Sequence, residues 1–161
     1  MLINKEYARS AVFGIEDALV STTGMIIGIS TGTSNKEFII LATLVTISVE
    51  AVSMAAGQYL TERTVHEIER GRHSDNSIVG AIIMLFSYLL GGIIPSFPIF
   101  FTTFPVASIW VLAMSFIGLY VLGFIKGKMV NVSPTRSAME MLIVGGIATG
   151  IGAIAGYFLK T

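Results

Sequence analysis

From Asn76 to Ile125 the chain runs 50 residues without an Asp, Glu, Lys, Arg or His. Two more such runs follow the same rule, Ala18–Asn35 with 18 residues and Met141–Leu159 with 19. A soluble surface cannot be assembled from stretches like these, whereas a bilayer span needs about 20 mostly apolar residues. Charged residues make up 12% of the 161 positions, about half the share usual in a soluble domain. The sequence therefore describes an all-α integral membrane protein, multi-pass, with the lipid bilayer as its principal partner.

Other classes drop out on composition. Acidic and basic residues balance at 10 each, so no electrostatic field draws nucleic acid. With no Cys there is no disulfide framework, thiolate chemistry or Cys-ligated zinc. No nucleophile–His pair suggests an enzyme, and nothing suggests a tightly bound cofactor. The apolar run behind the first nine polar residues is longer than a signal-peptide core.

A single transmembrane domain, residues 1–161, with five spans is expected, at about 10–31, 38–60, 78–94, 105–125 and 135–158. The long uncharged stretch exceeds one helix. It is expected to break at Pro95, Pro98 and Pro105, which lack backbone donors. Ser133-Pro134 reads as an N-cap followed by Pro at the first helical position. A four-span alternative puts Thr102–Phe104 in a re-entrant loop. With the N-terminus in the cytoplasm, Lys5, Arg9, Arg63, Arg70, Arg72, Lys126, Lys128 and Arg136 lie inside, and only Lys36 and Lys160 outside. The positive-inside rule then gives N-in, C-out.

Three carboxylates break the apolar pattern: Glu16, Asp17 and Glu50. An acid at the centre of a span is costly and faces a bundle interior or a polar cavity. Glu50 has 12 uncharged residues before it and 11 after, too deep to reach either surface. Counted from Ala11 and from Leu60, Asp17 and Met54 each lie six residues inside the cytoplasmic end of their spans, hence in one layer, with Glu50 one turn deeper on the face of Met54. Asp17, Ser21, Gly24 and Gly28 form a small polar stripe beside Met25. Carboxylate with thioether favours a weakly held first-row divalent ion such as Fe²⁺. Met25, Met84 and Met114 read as packing; Met54 reads equally as packing or ligand.

The stretch TERTVHEIERGRH, residues 61–73, continues the second helix into a short cytoplasmic loop at 61–77. Glu62, His66, Glu69 and His73 share one face, as metal collectors or as an ordinary solvated surface. Glu140 is a candidate for lining the cytoplasmic mouth, with Arg136 one turn before it. Gly24, Gly28 and Gly32, and Gly146 to Gly156, allow close helix contact. A homodimer with first helices facing each other would double the ligands in each layer.

The combination of RSAVFGIEDALVSTTGMIIGIS, VEAVSMAAGQYLTERT and GGIIPSFP resembles the vacuolar iron transporter (VIT/CCC1-like) family over nearly the whole chain. The resemblance implies a five-helix protomer in a homodimer that exports Fe²⁺ or Mn²⁺ from the cytosol through a path between subunits, by proton antiport. It implies that Asp17 and Met54 bind the ion, that Glu50 is in the path, and that Arg9 and Gly14 set the entrance. Two positions depart from the pattern: Ala18 follows the Asp where Gly is usual, and G-E-Y reads Gly57-Gln58-Tyr59. Plant members insert a metal-binding domain between the second and third spans, where this chain has about 17 residues. A minimal, prokaryotic-type relative exporting across the cell membrane is expected. Fe²⁺, Mn²⁺ and Co²⁺ share ligands and remain open. Another cationic substrate on the same fold is one alternative, with Tyr88, Trp110 and Tyr120 expected away from the carboxylates; a non-transporting scaffold is the other.

Overall fold

The computed structural model describes residues 5–69 and 76–159; Arg70, Arg72, His73 and Lys160, named above, lie outside the described residues. Five helices, each long and apolar enough to cross a membrane, account for almost all of it: α1 Lys5–Gly32, α2 Lys36–Ile68, α3 Ser77–Phe101, α4 Val106–Met129 and α5 Pro134–Phe158. The connections are short, so successive helices run antiparallel. Asn35 opens α2 by accepting from the Phe38 N–H at 3.0 Å, and Asn76 opens α3 by accepting from the Ile78 N–H at 3.0 Å. Both satisfy donors that a helix start leaves unpaired. Ser133 stands at the N-cap of α5 with Pro at the first turn, but makes no side-chain cap bond; its hydroxyl instead lies 3.2 Å from that of Thr135.

α1 is the central stave. It packs against α3, α5 and α4, and only along a narrow seam against α2, which is carried mainly by α3. Two glycines of α3 allow this: a Cβ at Gly91 would stand 2.9 Å from the Ala18 Cβ, and one at Gly92 would stand 3.0 Å from Ile47. Outward faces carry a belt of exposed apolar side chains, Leu41, Val49, Ile117 and Ile147 among them, as lipid contact requires.

α3 does not stop at Pro95. It continues through Pro95 and Pro98 to Phe101, seven residues beyond the span expected from sequence. A proline inside a helix removes one backbone bond; in hydrocarbon an unwound segment would leave many more polar groups unpaired, so the helix carries on. Ser96 Oγ donates to the Gly92 carbonyl at 2.6 Å and Thr102 Oγ1 to the Pro98 carbonyl at 2.7 Å. The chain turns at Thr102–Pro105, and Lys36 Nζ reaches the Phe100 carbonyl at 3.2 Å.

The glycine stripe of α1 is occupied within the protomer. A Cβ on Gly28 would stand 2.8 Å from the Gly152 carbonyl oxygen, and added Cβ atoms on Gly152 and Gly156 would strike the carbonyls of Gly24 and Gly28. Backbone of α1 thus lies directly on backbone of α5. The close helix contact that the glycine spacing predicts is thus made within the protomer.

Candidate functional site: a carboxylate layer at membrane depth

Three helices bring polar groups to one level. α1 supplies Asp17 and Ser21, α2 supplies Glu50 and Met54, and α3 supplies Tyr88. The Tyr88 hydroxyl donates to Glu50 Oε2 and lies 2.7 Å from Ser21 Oγ, which itself donates to Glu50 Oε2 at 3.3 Å. Two hydroxyls thus converge on one oxygen of Glu50. They satisfy a carboxylate that would otherwise be costly at this depth. Tyr88 is fully buried, and Ala18, Ala51 and Tyr88 form a packed cluster that Met54 joins from its edge. Asp17 is the chain neighbour of Ala18 in this cluster.

Asp17 lies within electrostatic range of Glu50. It is half-buried, and no hydrogen bond or ion pair reaches it among the described residues. Glu16, next to it, lies within electrostatic range of Lys126 on α4 as well as of Asp17. The two adjacent acids of α1 therefore differ: Glu16 has a cation in range, while Asp17 has a second carboxylate from another helix in range. Like charges this close repel unless a proton or a cation is shared between them. Gly14 makes room for this arrangement, since a Cβ there would stand 3.0 Å from the Ser87 Cβ. Arg9 pairs with Glu6 at 2.8 Å on the exposed surface.

Tyr88 corrects an expectation. Its ring belongs to the third span, but its hydroxyl is at the centre of the carboxylate layer rather than away from it. Helical spacing relates residues of one helix only, and nothing in α3 alone marks which face meets α1 and α2. Trp110 and Tyr120 are exposed. Met84 is buried beside Gly14, and Met25 and Met114 line apolar grooves, consistent with packing.

The other candidates are not gathered with this layer. Glu140 is exposed and pairs with Arg136 at 3.2 Å, a surface ion pair of the kind worth about 0–1 kcal/mol. Glu62 is buried against Gly80, and the ring Nδ1 of His66 lies 3.1 Å from the Glu62 carbonyl oxygen. Glu69 is exposed at the end of α2. Among the described residues no three His, Cys, Asp or Glu side chains come together as a chelating group. Glu62, His66 and Glu69 thus share a helix face without forming a cluster.

The model of the VIT family matches residues 8–77 and 63–157. The chain belongs to the VIT family. Vacuolar iron transporter 1 of Tulipa gesneriana is 31% identical over 74 residues, which cover 45% of this chain and 30% of that protein. VIT-like transporter 1b of Glycine max is 23% identical over 167 residues, covering 91% of this chain and 73% of its own length. Membership sets this VIT-family chain among membrane transporters and not among enzymes. The carboxylate layer falls inside the matched segments.

Proposed function

We propose that this VIT-family chain exports Fe²⁺, and Mn²⁺ by the same ligands, from the cytosol across the cell membrane. The observation that carries the reading is that Asp17 and Glu50, from two helices, lie within electrostatic range of each other, with no ion pair to either among the described residues. A mobile cation is the natural counter-ion for such a pair. Met54 adds a thioether, which favours a first-row transition ion over Mg²⁺ or Ca²⁺. Tyr88 favours a metal over an organic cation as well, because it presents its hydroxyl to Glu50 rather than its ring face to the layer.

One protomer offers too few ligands to hold an ion firmly, and a homodimer with the two layers apposed supplies the rest. The end that carries Lys5, Arg9, Arg63, Lys126, Lys128 and Arg136 is cytoplasmic by the positive-inside rule. Metal enters there while Asp17 and Glu50 are ionised. Protonation from the opposite side competes for the same oxygens and releases it, which makes the cycle an antiport. Glu62, His66, Glu69 and Glu140 belong to the approach rather than to the layer.

Purified protein in sealed vesicles, with a metal-sensitive dye and a pH dye inside, tests this. Fe²⁺ or Mn²⁺ added under a proton gradient is expected to enter as protons leave. Asp17→Asn is expected to abolish both signals while melting within a few degrees of the parent. Metal entry without proton movement would make the protein a facilitator; normal entry in the Asn variant would remove Asp17 from the mechanism.

A further inference from the structure

A second carboxylate on α2 is sheltered in a different way. Glu62 is 6% exposed, although its neighbours Thr61, Arg63 and Thr64 are all exposed. Its Oε1 accepts from Gln58 Nε2 at 2.6 Å. Its Oε2 is buried and has no hydrogen-bond partner among the described residues. Buried polar atoms are almost always paired, and a carboxylate oxygen is among the costliest to leave alone.

The seat is specific to this side chain. Gly80 of α3 lies over it, and a Cβ there would stand 2.5 Å from Oε1, so a larger residue would evict the carboxylate. The first turn of α3 does not supply the missing partner. The Ile78 N–H is bonded to Asn76 Oδ1 at 3.0 Å and the Gly80 N–H to the Asn76 carbonyl at 3.1 Å. Nor does Arg63, which pairs with Glu67 at 3.2 Å. Glu62 also closes a series: Glu50, Met54, Gln58 and Glu62 recur every four residues, about 6 Å of rise apart, and all four are sheltered.

We infer that Glu62 Oε2 and the side-chain oxygen of Gln58 form an outlying station for a divalent cation. Without the ion the Gln58 amide satisfies Glu62 through its N–H; half a turn of the amide presents its oxygen instead, since the two ends of the group are nearly the same shape. Both ligands are hard oxygens, so the station takes Mn²⁺, Mg²⁺ and Ca²⁺ alike. Discrimination falls to the thioether of Met54 deeper in. That the ion held here moves on to the Asp17–Glu50 layer rests on the proposed transport function; the binding itself does not.

Titration of the purified protein with Mn²⁺, followed by loss of the free-ion electron paramagnetic resonance signal, separates the two. The parent is expected to show two classes of bound Mn²⁺. Glu62→Gln should lose one and Asp17→Asn the other, Mg²⁺ should displace the Glu62 class first, and the exchange Gln58→Glu with Glu62→Gln should restore that class. Loss on Glu62→Gln with no change on Asp17→Asn would leave the station standing and count against the transport layer. A Glu62→Gln titration identical to the parent, including one with a lowered melting temperature, overturns the inference and makes Glu62 a counter-charge for the start of α3. Should Glu62→Gln fail to fold, Gln58→Glu in the parent background is expected to tighten the same class at least fivefold, and unchanged affinity there overturns it equally.

Discussion

Glu50 is held at one oxygen by hydroxyls from two other helices, and that arrangement ties the chemistry of the layer to its packing. Tyr88→Phe removes the buried donor while keeping the ring. A hydrogen bond to a charged acceptor is worth about 1.5–3 kcal/mol, so the variant is expected to unfold more easily by about that amount in chemical denaturation. Its metal uptake is expected to fall as well. A Phe variant with unchanged stability would mean that the Tyr88–Glu50 contact contributes little. Asp17, Glu50, Met54 and Ser21 could all be read from sequence, because acids at membrane depth and helical spacing point to them. Tyr88 could not, since a hydroxyl on a separate span has no periodic relation to the acids it meets. Glu62 was visible as a residue but not as a buried one: alternating charges around it look like any solvated helix, and only Gly80 on α3 makes its seat.

Among the helices, the five apolar runs were legible because absence of charge over such lengths admits few folds. The end of α3 was not. Proline's effect depends on the solvent around it, and in hydrocarbon losing two backbone bonds costs less than unwinding the turn. The contact between α1 and α5 was likewise invisible, because glycines spaced by four suit a partner inside the protomer as well as outside it. Two alanine substitutions measure that contact. Gly28→Ala puts a Cβ 2.8 Å from the Gly152 carbonyl oxygen and is expected to destabilise by about 1–3 kcal/mol, the usual cost of overpacking. Gly150→Ala meets nothing within 4 Å and is expected to be neutral or to stabilise by about 0.5–1 kcal/mol through helix propensity alone. Thermal melting of both in the same detergent reads the difference; equal melting points would mean the α1–α5 seam is not close-packed.

Taken whole, the molecule is asymmetric from end to end. Lys5, Arg9, Arg63, Lys126, Lys128 and Arg136 stand at one end and Lys36 at the other, and α2, at 33 residues, is about 49 Å long at 1.5 Å per residue against a hydrocarbon core of about 30 Å. The sequence carries no Cys, so single cysteines report sidedness without background. Ser34→Cys is expected to react with an impermeant maleimide in intact cells, and Ser133→Cys only after permeabilisation. The reverse pattern would invert the orientation and turn export into import.

Where Gly24 and Gly28 of α1 lie on Gly152 and Gly156 of α5 there are no side chains to change rotamer, only two backbones in contact. Such a joint has no intermediate settings: it can slide or part as a unit, but it cannot loosen gradually. In any cycle that exposes the acids first to one side and then to the other, α1 and α5 therefore travel as one beam. The bending falls to α3, where Pro95 and Pro98 already remove backbone bonds and so supply the break in regularity that a hinge uses, and to its packing on α2, where Ile47 meets Gly92.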